Sequence, residues 1–167
     1  MPKLINTTRV IDNPWHLVAR DETVDACLNA KSPQVLAPLA LWTEHRQALR
    51  DSDKEIAVWL DSDETPEALE ADLDSLPMIA LNFPVFKDGR PYSTAVTLRQ
   101  RYGFRGELRA IGDVLRDQLF YMKRCGFDSF DLSDGVDAEQ ALSAFGDFHT
   151  TYAASVEEPL PLFRRRA

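Results

Sequence analysis

The chain has 167 residues, 44% of them apolar and 28% charged, the make-up of a folded globule and not of a disordered chain. Its 27 acidic and 19 basic side chains leave a net charge of −8, which disfavours duplex DNA or RNA as the main partner, because phosphate binding requires an extended basic surface. No apolar run approaches the ~20 residues of a membrane-spanning helix, and residues 1–15 lack the apolar core of a signal peptide, so the expected compartment is the cytoplasm, with Cys27 and Cys125 as free thiols.

Residues 1–33 read as an N-terminal extension. Leu4-Ile5 and Val10-Ile11 flank Asn6-Thr7-Thr8, the pattern of a hairpin or edge strand, and Asn13-Pro14 interrupts it before Trp15, Leu17 and Val18. Residues 21–34 read as a loop. From residue 35 onward, apolar runs alternate with helical patterns. The first run, 35–41, contains Pro38, which argues against a fully paired central strand. A short helix over 44–50 and a buried strand over 56–60 follow. Thr65-Pro66-Glu67 opens a helix, since Thr65 caps, Pro66 suits the first turn and the acids favour the positive end; Leu69, Leu73 and Leu76 form its stripe.

The third strand is 78–83, halted by Pro84. Ser93 caps the next helix, with Ala95, Leu98 and Tyr102 on one face and Gly103 ending it. Residues 107–111 form the fourth strand, and Asp113 caps a helix running to Arg124, stopped by Gly126. Residues 128–132 are the fifth strand and 137–148 the last helix. In the tail, 150–167, Pro159 and Pro161 forbid helix. The expectation is a single α/β domain over 1–167 with about five mainly parallel strands joined by right-handed crossovers. Two architectures satisfy it, a flavodoxin-like sandwich and a partial (β/α) barrel, because five units are too few to close eight strands.

The chemistry concentrates in residues 83–128, which hold five of the seven glycines, seven of the fourteen arginines, and nine Lys and Arg against five Asp and Glu. A positive segment in an acidic protein points to an anionic ligand or acidic partner, with solvated arginines as the plain alternative. Ligands of parallel sheets bind where strands end. If strands 78–83 and 107–111 are neighbours, Asp88, Arg90, Tyr92, Ser93, Asp113 and Arg116 converge there. Arg90, Ser93, Arg109 and Arg116 are the candidates for holding a small oxyanion such as sulfite, sulfate or phosphate. Asp88 and Asp113 are candidate general bases, and equally plain turn and cap residues. Arg109 lies mid-strand, where a buried charge demands a carboxylate (Glu107 or Asp113) or a ligand.

In the helix 113–124, Val114, Leu115, Gln118, Leu119 and Met122 face the sheet, while Phe120, Tyr121 and Arg124 lie off that face in an interface-like composition. Phe163, beside Arg164, Arg165 and Arg166, is expected to be buried against this chain or a second copy. Cys125, following Lys123 and Arg124, is either a thiol of lowered pKa or a buried structural one. No nucleotide, nucleophile or metal-ligand motif occurs, so neither cofactor nor metal is expected.

The run FPVFKDGRPYSTAVTLRQRYGFRGELRAIGDVLRDQLFYMKRCGFDSF and the closing PLFRRR resemble a bacterial family of uncharacterised proteins, domain-of-unknown-function family 934, and the resemblance runs over nearly the whole chain. Its members are often encoded beside assimilatory sulfite reductase and carry labels such as oxidoreductase. The resemblance implies a role near sulfite reduction without establishing a reaction. The leading reading is an accessory protein that binds a reductase or its electron donor, with an oxyanion as a further ligand. The alternatives are a small α/β enzyme, with Arg90 and Arg109 holding an anionic substrate and Asp88 or Asp113 as base, and a structural protein that builds assemblies, homo-oligomers included.

Overall fold

A computed structural model describes residues 4–165. Seven strands form one sheet in the order β1-β7-β6-β5-β4-β3-β2: β1 (Leu4–Asn6), β2 (His16–Leu17), β3 (Gln34–Pro38), β4 (Glu55–Leu60), β5 (Met78–Phe83), β6 (Glu107–Gly112) and β7 (Ser129–Asp131). The helices are α1 (Val24–Leu28), α2 (Leu39–Arg50), α3 (Arg90–Gln100), α4 (Arg116–Cys125), α5 (Ala138–Ala141) and α6 (Leu162–Arg165). All ladders are parallel except β1 on β7.

From β3 to β7 the spatial order follows the chain. Right-handed crossovers that all step one way place their helices on one face of the sheet. The packing agrees: the helix residues Cys27, Trp42, Leu49, Leu98, Leu119 and Met122 join a large cluster with Val58, Ile79, Leu81, Phe83, Leu108 and Phe130. Alternation along the strands sends Leu36, Ala57, Trp59, Met78, Ala80 and Ile111 to the other face, where they make a separate cluster that, among the described residues, Trp15 alone flanks. The molecule is therefore a curled, partial (β/α) barrel. The flavodoxin-like alternative needs a reversal of strand order, and there is none here.

The N-terminal segment runs between the two edges of this sheet. Val10 pairs antiparallel with Ile5, and Ile11 N donates to Leu4 O (2.9 Å), on the outer side of β1, so from there to β2 the sheet is seven spacings wide, about 34 Å if flat. The five residue steps from Ile11 to His16 reach at most about 17 Å. The sheet can meet both constraints only by curling, and the segment is the chord of the curl.

Several boundaries differ from the sequence reading. Helix α1 occupies the expected loop, because Val24, Cys27 and Leu28 fall on one helical face and Cys27 is fully buried. Pro38 ends β3 and serves as the N-cap position of α2, which starts five residues earlier than the sequence suggests. Only a 3-10 turn, Pro66–Leu69, forms where a helix was expected. Leu69, Leu73 and Leu76 are still buried, but Asp72 turns inward and accepts from Trp42 Nε1 (2.8 Å) and Arg50 Nη2 (2.7 Å). The last helix is likewise shorter, α5 followed by a 3-10 turn at Leu142–Gly146, although Asp137 does cap it by accepting from Gln140 N (3.0 Å). One helical turn, α6, follows Pro161, since proline at a helix start has no amide to waste.

Candidate functional site

Two surfaces drew attention in the sequence: the loops at the carboxyl ends of β5 and β6, and the outer side of α4. Strands β5 and β6 are neighbours, as that reading required, with six residues in register from Met78↔Glu107 to Phe83↔Gly112. Gly112 has φ +91°, and a Cβ there would collide with the Phe83 carbonyl. Its absence lets Asp113 N donate to Phe83 O at 2.7 Å.

Asp113 does not cap α4, and Ser93 does not cap α3. Helix α3 begins at Arg90, with Pro91 in its first turn and Gly89 as N-cap, leaving Ser93 exposed on its surface. Helix α4 begins at Arg116, where Gln118 Oε1 accepts from Leu115 N (3.0 Å). Asp113 instead ties loops together, accepting from Phe86 N (2.8 Å) and Ser133 Oγ (3.2 Å). A cavity of about 560 Å³ lies beside it, lined by Asn82, Phe83, Pro84, Gly112, Asp113, Asp131, Leu132, Ser133 and Asp134. Three of those nine are carboxylates and none is Lys or Arg.

Among the described residues, Arg90, Arg109 and Arg116 each bond to a different set of partners. Arg90 is bound to Asp88 through Nε (3.0 Å) and Nη2 (2.6 Å) and donates to Ser62 Oγ (2.8 Å). The guanidinium and the Ser62 hydroxyl hold the Asp88 carboxyl well below the usual carboxylate range. Arg109, only 3% exposed, lies on the inner face. It donates to Glu107 Oε1 (2.8 and 3.1 Å), Ser129 Oγ (3.1 Å) and Asn13 Oδ1 (3.1 Å). This is the Glu107 pairing that the sequence offered as its plain alternative. Arg116 pairs with Asp147 and Ser143, both at 3.0 Å.

Helix α4 divides as its pattern indicates. Gln118, Leu119, Met122 and Cys125 are buried. Burial pushes the Cys125 thiol up despite neighbouring Arg124, which makes it the structural thiol of the two readings. On the outer side, Tyr121 packs against Tyr92 with tilted rings 5.0 Å apart, and Phe120 against Phe148 likewise at 5.1 Å. The C-terminal segment lies along the same helix: Arg124 Nη2 donates to Ala153 O (2.7 Å), Val156 N to Arg124 O (3.1 Å), and Lys123 pairs with Glu157 (2.8 Å). Leu162 N in turn donates to Tyr152 O (3.0 Å). On the other flank, Gln118 Nε2 holds the Phe86 carbonyl (3.2 Å).

The result is an aromatic surface centred on α4. Tyr121 (55% exposed), Phe148 (63%), Tyr152 (71%) and Phe163 (61%) are all more than half open to solvent. Phe163 is thus not buried against its own chain; the Arg164 guanidinium lies over its ring at 5.8 Å. Arg166 lies outside the described residues. The sequence reading named Phe120, Tyr121, Arg124 and Phe163 but not Phe86, Phe148 and Tyr152; Phe86 and Tyr152 sit in segments without helical periodicity, and Phe148 stood at the end of the expected last helix. Their one signal was a large apolar residue set among Lys, Asp, Thr and His.

A family model described as bacterial protein of unknown function (DUF934) matches residues 57–163. The chain belongs to this family. The DUF934 match runs from within β4 to Phe163 and so contains α3, α4 and nearly all of the aromatic C-terminal segment, while β1, β2 and β3 precede it. No curated protein matches the chain.

Proposed function

We propose that this DUF934 protein is an accessory protein of assimilatory sulfite reduction, acting by binding the reductase or its electron-donor protein through the outer side of α4 and the C-terminal segment. The observation that carries the docking surface is that Tyr121, Phe148, Tyr152 and Phe163 there are each more than half exposed, on the helix layer of a barrel-type fold. Helices in that layer need only one apolar side, whereas Tyr, Phe and Arg together are the composition of interface centres. The pathway comes from the resemblance of residues 83–130 and the closing PLFRRR to the family.

The electrostatics of the arginines favour this reading over an enzyme on an anionic substrate. Arg90, Arg109 and Arg116 each have a carboxylate of their own within 3.0 Å. Asp88, held ionised by Arg90, is a poor proton acceptor near neutrality, because a base works best with a pKa near the working pH. The test is a photo-crosslinking side chain placed at Tyr121 or Phe148 and irradiated with purified sulfite reductase and, separately, with its electron donor. Crosslinks to one of the two, absent when the side chain sits at the exposed Glu70 in the connection between β4 and β5, are the expected outcome. Equal labelling from all three positions would remove the docking surface.

A further inference from the structure

Among the described residues, the inner face of the sheet is covered by the chain's own N-terminal segment and by no helix. Residues 12–17 cross it, and all of them except Trp15 are exposed. Their attachments are few. Trp15 packs against the inner cluster, Asn13 Oδ1 accepts from Arg109 Nη1 (3.1 Å), Pro14 O accepts from Ser32 Oγ (2.8 Å), and His16 and Leu17 pair with β3 over two residues. On one side the crossing ends at the Val10 pairing with Ile5. On the other it ends at Val18, which is fully buried and bonded to Leu36 O (3.0 Å) and Trp59 Nε1 (2.9 Å). A segment with one partly buried side chain between two firm anchors belongs to the least stable end of a native structure.

We propose that residues 12–17 are a strap that opens locally while the rest of the sheet stays folded, uncovering the apolar inner face. Anchors at Val10 and Val18 make the hinges, and the helix-side core, which draws on α1 to α4, is untouched by the movement. Opening frees an Arg109 donor at Nη1, and the exposed floor is apolar, made by Leu36, Trp59, Met78 and Ile111. The strap is thus a gate on an internal surface, separate from the docking side of α4.

Two alanines on adjacent strands report on it. Ala80 (β5) faces inward and Ala110 (β6) faces the helix layer, and both are 0% exposed. With Cys27 and Cys125 replaced by alanine, Ala80→Cys and Ala110→Cys are labelled by a thiol reagent under native conditions. The strap predicts labelling at position 80 at least a hundredfold faster than at 110. Adding Asn13→Ala speeds position 80 by a further tenfold or so and leaves 110 unchanged. Should Ala80→Cys fail to fold, Ala57→Cys, also inward and 0% exposed, serves in its place. Equal rates at the inward and outward positions, both set by global unfolding, overturn the proposal.

Discussion

Asp88 receives Arg90 through its backbone amide, Nε and Nη2, with the side chain only 6% exposed. Its folded pKa is depressed, so its contribution to stability is present above the ordinary carboxylate value and is lost as the pH falls below it. Asp88→Asn should therefore lower the Tm at neutral pH, and the gap to the parent should narrow below about pH 4. Thermal melts from pH 3 to 7 check this, and a constant gap would refute it. Arg109 makes a second case. Removing one partner of a buried ion pair costs ~3–5 kcal/mol, and Glu107 is 35% exposed, so Arg109→Ala should lose about 3 kcal/mol. Arg109→Met, which keeps the volume, should lose less; urea denaturation measures both. The sequence exposed Arg109 through its place in an apolar strand, and Glu107 two residues away on the same face was the near partner. Asp113 was less legible. An Asp after Gly in front of a helical pattern reads as a cap, and nothing local announces that Phe86 N, 27 residues away, takes the carboxylate.

At the level of elements, strands were read best where buried on both sides. β5 was placed to the residue, because Met-Ile-Ala-Leu-Asn-Phe is a closed apolar run ended by proline. Helix starts were misplaced where several capping residues compete, as at Asp88, Gly89 and Ser93. The segment 65–76 shows the other difficulty: its leucines have helical spacing and are all buried, yet bonds from Trp42 and Arg50 to Asp72 hold it in turns. Helix α4 has the clearest stop. Gly126 is left-handed at φ +106°, and a Cβ there would meet Arg99 Cγ at 2.6 Å. Gly126→Ala should cost about 1–2 kcal/mol from backbone conformation alone, with a further loss from displacing Arg99, whose Nε donates to Gly126 O (3.0 Å). Chemical denaturation reads this directly, and a neutral substitution would show that the helix ends by another means.

The molecule as a whole separates its charge. Residues 1–82 hold fifteen acidic and seven basic side chains, and residues 83–167 twelve of each, so the excess of −8 belongs to the first half. The aromatic side of α4 and its C-terminal segment lie in the neutral half, where an apolar partner meets the least electrostatic opposition. Strand order was beyond the sequence, since a repeated strand–helix pattern is common to sandwich and barrel alike; what distinguishes them is the direction of successive crossovers, and here the short Ile11-to-His16 chord shows the curl. Removing residues 159–167 leaves every strand intact, so it should shift the Tm by only a few degrees while weakening partner binding, a contrast that melts and binding assays on one preparation resolve. The most direct measurement is a calorimetric titration of purified sulfite reductase, and of its electron-donor protein, with the parent chain and with Tyr121→Ala/Phe148→Ala. The account predicts saturable binding of the parent to one of the two, little dependent on salt, and at least a tenfold loss in the double variant with an unchanged melt. No binding by the parent to either protein, or equal affinity in the variant, would contradict it.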